Sequence, residues 1–439
     1  MRWKGPALAL LGAAAVAGIA IGFSLSSGSD STITNASSRP ASGTGTTSET
    51  ATTSTGTGTI SIHLPKPGHI RLGHRLVVAT VDDAVKQADP AQAAALMKVS
   101  HDAGFDAMMV SAMWKPGARA PSAQDRLTLG NVVKAADAQG MDVFVFVWNG
   151  LSGDTPRTVS ARRDFAAYTA ALAKAFPQIR DFVVGNEPNL NTFWMPQFGA
   201  EGRDVAASGY LDMLARTYDA LKAVSSHIQV IGGALAPRGS DRPGTKRDTH
   251  SPTKFIDDLG EAYRASHRSK PIMDAFAIHP YMRTSKLPPT DTHARSTTIT
   301  IADYPKLVTL LAGAFDGTAQ RGQDLPVYYT EFGVQTVVPA AHRGAYTDLN
   351  SPSAVDAVDP QTQARYYSEA LQLAACQPTV KGLFVFHTFD ERDLAGWQSG
   401  LFYADQKPKP SLPAFRKAAA EARAASLTHC SGVTFVKEK

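Results

Sequence analysis

From residue 70 onward the chain alternates two kinds of apolar pattern. Short runs rich in β-branched and aromatic side chains are followed by longer stretches in which apolar positions recur every three or four residues, the spacing of one helix face. The short runs are Leu76 to Val81, Phe105 to Val110, Met141 to Val147, Phe182 to Gly185, Ile228 to Gly232, Met273 to Ile278, Val327 to Thr330 and Gly382 to Phe386. Helical spacing follows at about 91–103, 122–139, 159–176, 207–225, 253–266, 301–315, 360–375 and 411–426. The pattern therefore predicts eight strand-then-helix units.

The strands are apolar at odd and even positions alike, as in Val143-Phe144-Val145-Phe146-Val147. A strand covered on both faces belongs in a parallel sheet rather than in one-sided hairpins. Local signals agree: Ser122 stands three residues before Asp125, and Asp89-Pro90 opens a helical run that closes before Gly104. Eight such units closing on themselves give an α/β fold, a (β/α)8 TIM barrel of one domain over residues 70–427. The competing fold is a doubly wound open sheet, but no glycine-rich phosphate loop follows the first strand. Helix-to-strand links are short, whereas the links after strands 4 to 8 are long. In a barrel those long links share the C-terminal face, so chemistry is to be sought at strand ends.

The termini are of another composition. Gly5 to Leu25 carries no charged side chain and follows Arg2 and Lys4, which marks residues 1–26 as either a cleaved signal peptide or an uncleaved membrane anchor. Both options put the remainder outside the cytoplasmic membrane, secreted or anchored to its outer face. Membrane contact is then expected only through this segment. Residues 27–69 are a Ser/Thr/Gly-rich linker, too poor in large apolar groups to offset the entropy lost on ordering, and 428–439 form a short tail. The chain has 439 residues, 43% apolar and 19% charged, which supplies a sizeable core and excludes a wholly disordered or multispan protein. Its 44 Lys and Arg against 39 Asp and Glu form no basic run, so no nucleic-acid partner is expected. The two cysteines, Cys376 and Cys430, favour a disulfide in an exported chain and lack metal-ligand spacing. No metal or cofactor is expected.

Strand 4 ends in Val183-Val184-Gly185-Asn186-Glu187-Pro188-Asn189 and strand 7 in Tyr328-Tyr329-Thr330-Glu331-Phe332-Gly333. In an eight-strand barrel these two rims face each other across a lumen that side chains can span. A pair of opposed carboxyls suits glycoside cleavage, one neutral to protonate the leaving oxygen and one ionised to attack the anomeric carbon. Asn186-Glu187-Pro188, the glutamate of Thr330-Glu331-Phe332-Gly333, and His279-Pro280-Tyr281 after strand 6 resemble the motifs of clan A of the glycoside hydrolases, which includes family 5 cellulases and family 39 glycosidases. The resemblance spans residues 70–425. It implies a retaining β-glycosidase with Glu187 as acid/base, Glu331 as nucleophile and Asn186 as donor to the sugar 2-hydroxyl. It also implies that Tyr281 hydrogen-bonds the nucleophile and that His279 lines the same subsite.

On this reading Glu187 needs a raised pKa and Glu331 a donor that keeps it ionised. Trp114, Trp148, Phe193, Trp194 and Trp397 are candidate platforms for sugar faces or, equally, wall packing, with two of the five expected at the ligand. Asp82, Asp83 and Asn149 are candidate hydroxyl partners. Arg238, Arg242, Lys246 and Arg247 read as a solvated loop. Two departures from the clan stand out. Strand 8 ends Phe386-His387-Thr388 where the clan places a tryptophan, which Trp397 would have to replace by folding back. Ser111-Ala112-Met113-Trp114 supplies no arginine to support the nucleophile. The expected substrate is a β-linked oligo- or polysaccharide; the alternative is a carbohydrate-binding or wall-associated barrel with little or no hydrolytic activity.

Overall fold

The computed structural model describes residues 75–349 and 356–425. The N-terminal apolar segment, the linker, the tail and Cys430 lie outside the described residues. Eight strands, β1 (Val77–Val81), β2 (Ala107–Met113), β3 (Asp142–Trp148), β4 (Asp181–Val184), β5 (Gln229–Leu235), β6 (Ala275–Ile278), β7 (Val327–Phe332) and β8 (Val380–Phe386), form one closed parallel barrel in chain order. β8 returns to β1, with Val77 opposite Gly382 through Val81 opposite Phe386. The eight helices are α1 (Pro90–Ala103), α2 (Ala123–Asp137), α3 (Val159–Ala175), α4 (Ala206–Val224), α5 (Pro252–Ala265), α6 (Tyr304–Phe315), α7 (Pro360–Ala375) and α8 (Leu412–Arg423). The expected (β/α)8 barrel is what the chain forms.

Strand alternation builds two cores. Ala79, Met109, Phe144, Val183, Ile231, Ala277, Tyr328 and Phe384 fill the lumen, while their neighbours, such as Val145 and Val147 on β3, pack outward beneath the helices. The helix starts are chemically set. Ser122 and Asp125 close a reciprocal capping box on α2, and Asp89 caps α1 ahead of Pro90. α1 ends at Gly104, whose φ of 107° needs glycine.

β5 and β7 each contain a bulge. On β5 the register shifts between Gly233 and Leu235, and on β7 between Tyr329 and Phe332, where three β7 positions span two on β8. Simple alternation from inward Tyr328 would turn Glu331 toward the helices. The extra residue turns it to the lumen and returns Phe332 to the outer core. Beyond β8, the fully buried Lys409 ammonium bonds Asp390 at 2.6 Å, Thr336 at 2.8 Å and the Gln398 carbonyl at 3.0 Å. This pair ties the segment carrying Trp397 to the loop after β7. Removing one partner would leave a bare buried charge. Of the cysteine pair, Cys376 caps the C-terminus of α7 and is buried.

Candidate active site

β4 stops at Val184 because Gly185 turns left-handed, with φ 88°. A Cβ at that position would lie 2.9 Å from the Tyr210 ring. Tyr210, fully buried on α4, donates its hydroxyl to the Val184 carbonyl and accepts from the Gly233 N–H, both at 2.7 Å, so it pins the end of β4 to the β5 bulge. The bulge presents the Ala234 carbonyl to the Glu187 N–H at 2.8 Å. Glu187 itself has φ 39°, a conformation a side-chain-bearing residue keeps only when its surroundings hold it. Asn189 completes the hold, bonding the Ala236 N–H and the Ala236 and His250 carbonyls.

Across the lumen, Glu331 is held by side chains. Tyr281 donates its hydroxyl to Glu331 Oε2 at 3.1 Å. His279, 2% exposed, places Nδ1 3.1 Å from Glu187 Oε1 and 3.4 Å from Glu331 Oε2. The two carboxylates are thus bridged by one ring nitrogen, and their facing oxygens are separated by no more than the sum of those legs, about 6.5 Å.

Burial pushes the Glu331 carboxyl up; His279 opposes this, Glu187 adds to it, and the Tyr281 hydroxyl and His387 oppose it. Burial works against a proton on His279, but Glu331 and Glu187 outweigh it and its pKa rises. Burial also drives the Tyr281 phenol well above its ordinary value, so it stays a donor. The sequence reading looks for a raised carboxyl at Glu187; in the structure burial raises Glu331.

His387 is the residue that the sequence reading passed over. Its Nδ1 lies 2.6 Å from the Val81 carbonyl and its Nε2 3.2 Å from Glu391 Oε1. Burial disfavours its charge, but Glu391, Asp82 and the Val81 carbonyl raise its pKa to about 9. This fixed cation acts on Glu331, where the resemblance leads one to look for an arginine. A polar residue directly after strand 8 was the available signal. The Phe386–His387 peptide bond is cis. Arg238 was also misjudged: it leaves the solvated group of Arg242, Lys246 and Arg247, donates to the Tyr281 carbonyl at 3.0 Å and lies within the electrostatic reach of Glu187.

The other candidates divide by burial. Trp397 folds back over the rim, its ring 5.0 Å from that of Tyr281 and 5.7 Å from that of Phe386, with its main-chain N–H donating to Glu391. Trp148 follows Phe144 and Phe146 on the inward side of β3 and meets Phe193 at 6.0 Å. Trp148, Phe193 and Trp397 are each partly exposed, as is Asn186, which makes no side-chain hydrogen bond among the described residues. Trp114 is not at the cleft. It is fully buried, donates to the Ala118 carbonyl and packs edge-on against Phe165 in the outer core. Trp194 is likewise buried against Tyr210, and Asn149 spends its amide on the Leu151 and Phe193 carbonyls. Asp82 is buried as the acceptor for the Ala84, Thr388 and Phe389 N–H groups, and Asp83 accepts from the Ser111 N–H and hydroxyl. A polar or aromatic residue at a strand end is equally able to close a loop, and these five do so.

No family model matches the chain, and no curated protein sequence does. Solved structures do. GH5_18 from Streptomyces cattleya, solved with GlcNAc, superposes with a TM-score of 0.50 at 17% identity over 80% of each chain. A glucosidase from Croceicoccus marinus gives 0.52 at 11% identity, covering 79% of this chain and 68% of that one. The exo-beta-1,4-mannosidase Op5Man5 from Opitutaceae bacterium strain TAV5 gives 0.50 at 14%, covering 83% and 63%. What this chain shares with these glycoside hydrolases is the closed (β/α)8 barrel. At these identities the likeness carries the barrel, and the chemistry rests on the residues at its mouth.

Proposed function

We propose that the protein is an exported retaining β-glycosidase that cleaves a β-linked oligo- or polysaccharide by double displacement. The observation that carries this reading is the bridging of Glu187 and Glu331 by His279 across the barrel mouth. A spacing of about 5–5.5 Å between carboxyl groups serves attack by one of them, whereas inversion needs about 6.5–9.5 Å to admit a water. The two legs hold one oxygen of each carboxyl within about 6.5 Å of the other, which supports the closer spacing. A glucosidase, a β-1,4-mannosidase and a GlcNAc complex among the similar structures support a pyranose in the cleft.

In the first step Glu331 attacks the anomeric carbon, the glycosidic C–O bond breaks, and Glu187 gives its proton to the departing oxygen. In the second, Glu187 takes a proton from water, whose oxygen attacks the same carbon and releases Glu331 as carboxylate. Tyr281 keeps the Glu331 lone pair oriented. Asn186 is free to hold the 2-hydroxyl, whose hydrogen bond strengthens as charge builds on the ring. Trp397 and Trp148 are the aromatic faces available to sugar.

Hydrolysis of an aryl β-glycoside panel tests the assignment. Glu331→Gln should lower kcat/KM by roughly 10³-fold or more on every member, and Glu187→Gln by as much on members with poor leaving groups, with the fold intact. Azide should rescue Glu331→Gly with an inverted product. Wild-type rates in both Gln variants would refute the proposal.

A further inference from the structure

Behind the loop that carries Glu187, three segments converge on a second cluster. Asp204 precedes α4, with Oδ1 accepting from the Ala207 N–H at 2.9 Å. His250 precedes the α5 cap residue Ser251, and Asp258 lies within α5. One donor atom from each falls within 4.8 Å of the others. Their side chains are 3%, 1% and 10% exposed. His250 Nε2 is 3.4 Å from Asp204 Oδ1 and 3.2 Å from the Gln197 main-chain oxygen.

The polar atoms here do not satisfy one another. Asp204 Oδ2, Asp258 Oδ2 and His250 Nδ1 are buried without a hydrogen-bond partner. The nearby cation, Lys254, binds the other oxygen of Asp258 from the exposed side of α5. Two buried carboxyl groups this close are costly unless a proton or a cation lies between them, and native interiors leave few such oxygens unpaired. A positive species between them removes the cost. The imidazole points to which one. It contributes a nitrogen to the same enclosure, and its other nitrogen faces the Asp241 carboxylate at 4.0 Å, a favourable charge but no hydrogen bond.

We propose that Asp204, His250 and Asp258 bind a divalent cation of the zinc class, with the Gln197 carbonyl as the adjacent oxygen. One imidazole with two carboxylates is a donor set zinc accepts in four-coordinate sites, while calcium and magnesium favour oxygen alone. The ligands come from three separate stretches, which is why no sequence spacing announces them. The ion braces the acid/base loop: His250 bonds Asn189 through both its N–H and its carbonyl, and the Gln197 amide donates to the Pro188 carbonyl. Its role is positional.

The test uses the tag-free chain, stripped with EDTA and equilibrated with buffered micromolar Zn²⁺, Ca²⁺ or no metal. Elemental analysis should find one tightly held zinc, and Zn²⁺ should raise Tm on the order of 5 °C. Both effects should vanish in Asp258→Asn and in His250→Gln; should the latter not fold, the former carries the control. Equal zinc uptake by wild type and Asp258→Asn would overturn the proposal. So would a shift with Ca²⁺ alone. A metal-free Asp258→Asn more stable than wild type, with no zinc response in wild type, would mean that a shared proton joins the carboxyls instead.

Discussion

Two glutamates reach the same cleft by different means. Glu187 is delivered by main chain: a left-handed Gly185, a φ of 39° at the glutamate, and an N–H held by the Ala234 carbonyl. Glu331 is delivered by a bulge and then held by the Tyr281 hydroxyl, with His387 acting on its charge, while His279 stands between the two and is nearer Glu187. Backbone hydrogen bonds fix position without depending on pH, whereas phenol and imidazole partners also set protonation. The acid/base rim is therefore placed mainly by main chain, and the nucleophile rim mainly by side chains, with His279 shared between them.

The widest separation between the rims should appear with leaving groups. A dinitrophenyl glycoside needs no proton, so Glu187→Gln should lose less than about 10-fold in its first step. Glu331→Gln should lose roughly 10³-fold or more on every substrate. Equal losses on activated and unactivated substrates would erase the distinction. Gly185→Ala probes the main-chain side. It meets both the left-handed strain and the Tyr210 ring, and should destabilise by about 2–4 kcal/mol in denaturant titration. Gly140→Ala, with φ 67° and nothing within 4 Å of its Cβ, should cost only about 1 kcal/mol.

Tyr281→Phe probes the side-chain side. Loss of the donor at Glu331 should raise that carboxyl further, moving the acidic limb of the kcat/KM profile upward with about a 10-fold lower kcat. A profile that keeps its acidic limb would count against Tyr281 as the orienting group. The smallest effect concerns His387. With its pKa raised from 6.5 to about 9, its contribution to stability is fully present below pH 6.5 and lost as pH rises through about 9. His387→Gln should therefore lower Tm most at acidic to neutral pH and converge on wild type above pH 9. A constant offset across that range would remove the imidazolium from the account.

The barrel was legible because its signals are periodic and local: eight apolar runs, helix spacing between them, and caps such as Ser122 with Asp125. The glutamates were legible as carboxyls at strand ends. The aromatic and polar wall was not. Trp114 stands just past β2 and Trp148 is the last residue of β3, opposite Met113, so alternation sends them to opposite sides: one is sealed under α3 and the other faces Phe193. His387 was invisible as a cation because its charge comes from Glu391 and Asp82, brought to it by barrel closure.

The order of residues alone determined how many strands and helices form, that the sheet is parallel and buried on both faces, and which rims carry carboxyls. These follow from hydrophobic period and chain connectivity, which are properties of neighbours in sequence. Only the tertiary structure decided that Glu331 points inward, that one imidazole joins it to Glu187, and which tryptophans line the cleft. A bulge register and a burial environment arise from contacts between distant segments, and a one-residue shift in register sends a side chain to the opposite face.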